Sequence, residues 1–243
     1  GGVAAINING TTAVLDDPSI IANATGGAGG QGKLDSATFN AGNSGDGGDA
    51  TAGTALLQVT GAGGNIDLGF ISLQSDAVGG QGGYGYNNFS GNAGSGGIGG
   101  NATGGRSELV ARTGGTINLI ASTFDFTSTG TGGAGGAGGY TYSGTSGDGG
   151  DGGFGTGGTT LFLAQGGTIT GQDVNFTVAG IGGNGGIGGT YGYGGSNGIT
   201  GTGGTGTGGT AAIEVQEGSP GIITLGNVLA EAIGSSGTGG FPL

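Results

Sequence analysis

The sequence contains no histidine, cysteine, methionine or tryptophan. Without imidazole or thiol it cannot form a Ser-His-Asp triad, a thiol nucleophile, a thiolate or imidazole zinc site, or a haem attachment. Cations are almost as scarce. Lys33, Arg106 and Arg112 stand alone against fifteen carboxylates, giving a net charge of −12. Such a chain repels phosphate backbones and anionic bilayer surfaces, so nucleic acid is not an expected partner. No apolar run approaches the roughly 20 residues that span a bilayer, and membrane insertion is not expected. There is neither a charged n-region with an apolar h-region nor an initiator methionine, so the chain reads as an internal or processed piece of something longer. Only three prolines occur, and stretches such as Ala211 to Val215 lack glycine, which excludes the Gly-X-Y register of collagen.

What the chain has in abundance is glycine, 75 of 243 residues, interleaved with short β-branched runs. The clustering of those runs argues against disorder. The element Thr-Gly/Ala-Gly followed by a β-rich run recurs at Thr51, Thr103, Thr156 and Thr207. It divides one repeat domain over 1–243 into units 1–50, 51–102, 103–155, 156–206 and 207–243.

Within each unit a first strand alternates with period 2. Its columns persist from unit to unit: Ala4, Ala55, Ser107, Thr160, Ala211; Ile6, Leu57, Leu109, Phe162, Ile213; Ile8, Val59, Ala111, Ala164, Val215. A glycine turn leads to a second strand with Ala13, Ile66, Ile117, Ile169, Ile223 and Leu15, Leu68, Leu119, Gly171, Leu225. A third strand is aligned as Ile20, Ile71, Phe124, Val174, Val228 and Ala22, Leu73, Phe126, Phe176, Ala230. One recurrence per unit is what stacked parallel coils produce, with strands about 4.8 Å apart. The expected fold is all-β: a parallel β-solenoid (β-helix) of about five large coils.

Between third and first strands lie glycine segments with period 3, beginning at Gly26, Gly79, Gly132 and Gly182 and returning through runs such as Gly147-Asp148-Gly149-Gly150-Asp151. Period 3 belongs to the extended left-handed polyproline-II (PPII) or polyglycine-type helix. Such arms have no internal hydrogen bonds and must satisfy one another.

Matches to G-x-G-x-x-G carry no weight in so glycine-rich a chain. Asp46, Asp49, Asp148 and Asp151 are read first as solvated turn carboxylates and alternatively as calcium ligands; no other cofactor is expected. Arg106, Glu108 and Arg112 share one unit without paired carboxylates in adjacent coils, so no enzyme is expected. The outward third-strand positions Ser72, Asp125, Asn175 and Leu229 form no threonine ladder of the ice-binding kind. All six tyrosines occur as Tyr-x-Tyr pairs past the outgoing arms: Tyr84/Tyr86, Tyr140/Tyr142 and Tyr191/Tyr193. They are expected at the outer rim, ring upon ring, as a clamp for the turns or as a surface for glycan or neighbouring fibres.

The runs at 47–59 and 99–105 resemble the glycine-rich β-strand repeats of filamentous-haemagglutinin-type adhesins. Gly-Gly-Ala-Gly-Gly-Ala at 132–137 is also similar to glycine-rich mycobacterial surface proteins, although interleaved strands argue against that family. Glycine-helix tips of phage tail fibres are a more distant likeness. The first resemblance implies a secreted, cell-surface fibre or adhesin shaft that self-associates with further coils or copies. The alternative is an adhesin tip that recognises surface glycans. The unit here is longer than an ordinary shaft coil of that family.

Overall fold

The computed structural model describes residues 1–35, 40–217 and 220–241, with the backbone alone at 122 and 123. Among them there are strands and no helix. The strand pairings are parallel except for one small antiparallel pair, Leu34–Asp35 with Asn40–Ala41.

The first sheet lines up Val3–Asn9, Thr54–Thr60, Arg106–Arg112, Thr159–Gln165 and Thr210–Val215 in chain order. The second, of eight strands, packs against the same core, and the parallel sheets include a curled half-barrel. Alternation does the work: along Thr54–Thr60 every second residue is buried. Ala55, Leu57 and Val59 point inward and pair with Ala4, Ile6 and Ile8 on one side and Ser107, Leu109 and Ala111 on the other. Ile66, Ile117 and Ile169 are likewise direct partners across the second sheet. Phe162, from the first sheet, meets Phe126 and Phe176, from the second, edge-on at centroid distances of 4.8 and 4.9 Å. Gly171 interrupts the leucine column, and side-chain atoms of Leu119 and Leu225 fill the space a Cβ would need.

The third-strand alignment needs one correction. Ile20 pairs with Leu73, and Leu73 with Phe126, so Ile20 belongs to the second inward column and not the first. Pro18 occupies the level of Ile71, and Ala22 that of Ser75. The cause is connector length. Unit 3 carries two extra residues between its strands, which leave the ladder as a register shift between Leu119 and Thr123. The other units have the short connector, so only unit 3 follows the spacing that suggested Ile20.

Two narrow sheets flank the glycine segments. One joins Ala24–Thr25, Ala77–Val78, Gly130–Thr131, Gly180–Ile181 and Gly234–Ser235; the other joins Ala50–Thr51, Ala102–Thr103, Gly155–Thr156 and Gly206–Thr207. They touch through alanine or glycine only. A Cβ on Gly130 or Gly155 would overlap a backbone carbonyl of the opposite sheet.

At this junction Ser75, Ser107 and Ser128 are fully buried. The Ser75 hydroxyl lies 3.0 Å from that of Ser107 and donates to Ser128 at 3.2 Å, while Ser107 donates to the Thr127 carbonyl at 2.7 Å and Ser128 to the Gly105 carbonyl at 2.6 Å. Thr160, in the same inward column as Ser107, is buried with its hydroxyl unpartnered.

The glycine segments follow one hydrogen-bonding rule per triplet. The first glycine donates to the same arm of the next unit, as Gly79 to Thr131 and Gly82 to Ala134. The second donates across to the other arm. Gly48 donates to Gly27, Gly80 to Gly48, Gly100 to Gly80, Gly133 to Gly100, Gly153 to Gly133, Gly183 to Gly153, Gly204 to Gly183 and Gly237 to Gly204, all at 2.7–2.9 Å. This chain of bonds crosses between arms and passes through every unit. Both glycines are obligatory there: a Cβ on Gly79 would overlap the Gly100 carbonyl, and one on Gly80 the Gly27 carbonyl. The third residue of each triplet faces outward.

Candidate functional site

With two residues of each triplet committed to backbone packing, the chemistry of the glycine segments is confined to their third positions and their tips. On the return arms the third-position N–H groups point outward, and side chains of the preceding unit accept from them. Asp46 accepts from Ile98 (2.8 Å), Asp49 from Asn101 (2.7 Å), Asn101 from Phe154 (2.9 Å), Asp148 from Ile199 (2.7 Å) and Asp151 from Thr202 (2.7 Å). Asn184 does the same for Thr238 on the outgoing arm. An Asp or Asn is the right length for this task, because its δ-oxygen reaches the amide one strand spacing away.

These acceptors include the four aspartates read first as solvated turn carboxylates and alternatively as calcium ligands. Asp46 aligns with Ile98, which aligns with Asp151, so the two pairs lie one triplet out of step and two units apart. Among the described residues no group of three or more carboxylates is placed to hold a metal ion. Outward from the first sheet, Arg106 pairs with Glu108, and Arg112 donates to Gln58 and Gln165 of the flanking units.

The tyrosines do sit around the tips, and Tyr84, Tyr86, Tyr142, Tyr191 and Tyr193 are exposed. They do not form a ladder of rings. The tip register is set by the parallel bridges from Asn88 to Thr141 and from Thr141 to Tyr191, which offset the units by 53 and 50 residues. The Tyr-x-Tyr pairs are spaced 56 and 51. Tyr140 therefore lies beside Asn87, whose side chain accepts from its N–H at 2.8 Å, and the Tyr142 ring covers Gly192. Among the described residues the only ring pairs are those of Phe126, Phe162 and Phe176.

The offset opens a groove of about 740 Å³ at the tip of unit 2, lined by Tyr84, Tyr86, Phe89, Asn87, Gln31 and Leu34 among others. Gln31 and Gln81 bring amides to its neighbourhood, and Gln81 donates to the Tyr84 hydroxyl at 3.0 Å. Apolar ring faces beside amide and hydroxyl groups suit a ligand that is itself part apolar and part hydroxylated. Phe89, 77% exposed, lines the same groove, next to the tyrosine pair as its place in the sequence implies. A second row, Thr51, Thr103, Thr156 and Thr207, is exposed along the return edge at one threonine per unit. These threonines were legible as the repeat marker, but not as a surface.

Comparison of the chain with protein-family models, with curated proteins and with solved structures finds no match in any of the three.

Proposed function

We propose that this chain is a segment of an extracellular structural fibre or adhesin shaft, on a bacterial surface or in a biofilm matrix. In this reading the parallel sheets are the walls of a β-solenoid with one large coil per unit. The glycine arms are excursions of the PPII or polyglycine type, packed side by side. The observation that carries it is the chain of glycine hydrogen bonds that crosses from arm to arm and unit to unit with the same geometry throughout. A structure held by identical contacts between successive layers lengthens by adding layers, which is the property a shaft needs. The resemblance to filamentous-haemagglutinin-type repeats points the same way.

Electron microscopy of the native material tests this. Rods of uniform width, whose length scales with the number of units, are expected. Compact particles of one fixed length would overturn the proposal.

The second reading is an adhesin tip for surface glycans, favoured by the aromatic groove at Tyr84, Tyr86 and Phe89. Replacing Tyr84, Tyr86, Tyr140 and Tyr142 with serine tests whether the rim is a contact surface or only a clamp for the turns, the clamp being read from lost thermal stability with adhesion and bundling unchanged per folded molecule. A folded variant that no longer adheres or bundles supports recognition by the rim, and unchanged adhesion per folded molecule refutes it.

A further inference from the structure

Gly27, Gly30, Gly45 and Gly48, in unit 1, obey the triplet rule without the neighbour that enforces it. Their equivalents Gly80, Gly83, Gly97 and Gly100 must be glycine because a Cβ would overlap a carbonyl oxygen of the preceding unit. At Gly27 and Gly30 a Cβ would meet nothing within 4 Å, and at Gly45 and Gly48 the nearest atom lies at 3.3 and 3.1 Å. Nothing in the chain as it stands demands glycine at Gly27 or Gly30.

The backbone polar groups of unit 1 are left open in the same pattern. Gly80 and Gly83 donate to the return arm of the preceding unit, whereas the Gly27 and Gly30 N–H groups have no acceptor among the described residues. The carbonyls of Gln81 and Tyr84 accept from the preceding outgoing arm, and those of their equivalents Ala28 and Gln31 have no donor among the described residues. The core ends there too: Ile6, Ile8 and Leu15 are half-buried, while Leu57, Val59 and Leu68, one layer in, are fully buried.

We propose that the open edge of unit 1 is a seat for a further coil with both glycine arms, supplied by polypeptide outside these 243 residues. This rests on the layered-coil reading above and adds a direction to it. The occupant needs a return arm, because only return-arm carbonyls meet the N–H groups of Gly27 and Gly30. Unit 5 of a second copy does not offer one within 207–243. Ser236 also stands where units 1 to 4 have Gly26, Gly79, Gly132 and Gly182, positions at which a Cβ would overlap the unit's own return arm. A return arm placed as in units 1 to 4 is thereby excluded from unit 5.

The test compares the 243-residue chain with a fusion in which residues 104–156, a complete unit, precede Gly1. Thr156 then meets Gly1 as it meets Gly157 in the native chain, keeping the register. Gly27→Ala with Gly30→Ala is expected to leave the Tm of the unfused chain within about 2 °C, less than the shift from 1 kcal/mol at this size. In the fusion the same pair is expected to abolish the stability and protease protection conferred by the added unit. Equal harm in the unfused chain, or no harm in the fusion, overturns the seat. Self-association of the unfused chain, abolished by the alanine pair, would give the seat to a second copy and also overturn the assignment. Gly80→Ala with Gly83→Ala in the unfused chain must lower Tm. If it does not, the layered-coil reading itself fails.

Discussion

Gly133→Ala places one methyl group at the centre of the glycine lattice. The new Cβ would overlap the Gly80 carbonyl oxygen and stand 2.8 Å from that of Gly79. Relief requires the outgoing arms of units 2 and 3 to part. Two hydrogen bonds hold them at that level, Gly79 to Thr131 and Gly82 to Ala134, both 2.9 Å, and Gly133 also donates to Gly100 on the return arm of unit 2 at 2.8 Å. At about 1 kcal/mol net for each bond, losing two of them costs about 2 kcal/mol. Overpacking against a rigid backbone adds about 1–3 kcal/mol. The expected loss is therefore about 3–5 kcal/mol, or roughly 6–20 °C in Tm for a chain of this size. The adjacent outward position is the control, because Ala134→Ser should stay within about 0.5 kcal/mol. Thermal unfolding followed by circular dichroism reads both. A Gly133→Ala protein melting within about 2 °C of the parent would refute the claim that these glycines are fixed by backbone contact.

Other outcomes follow from the same contacts. Phe162→Ala removes the ring that meets both Phe126 and Phe176 from a fully buried site, and should cost about 3–5 kcal/mol in urea unfolding. Thr160→Val deletes a buried hydroxyl that has no partner and should stabilise by about 1 kcal/mol; a loss of stability would mean that the hydroxyl is satisfied after all. Asp151→Ala should cost about 1 kcal/mol by uncapping Thr202, whereas Asp151→Asn should keep the cap, as Asn101 does for Phe154. Added calcium should leave the melting of the parent unchanged, and a rise that Asp151→Ala abolishes would favour the ligand reading.

Recurrence at one residue per unit was enough, from the sequence, to align the first two strands, because an inward column must stay apolar over every layer it crosses. Glycine at two positions in three revealed that the arms are packed on backbone, since only close approach imposes such a rule. Three features were settled by the tertiary structure. Pro18 takes the level of Ile71 because units 1 and 2 have connectors of equal length between the second and third strands, which hydrophobicity does not report. The tyrosine pairs fall out of step because bridges at Asn88, Thr141 and Tyr191 set the tip register, while the rings, exposed to solvent, are free of it. Asp46, Asp49, Asp148 and Asp151 became caps for backbone amides because stacking brings each carboxylate to an N–H about 51 residues away. Periodicity along the chain determines which residues can repeat in space. Only the stacked layers determine which atoms then meet, because hydrogen bonds between layers depend on offsets that a change of one or two residues in a connector resets.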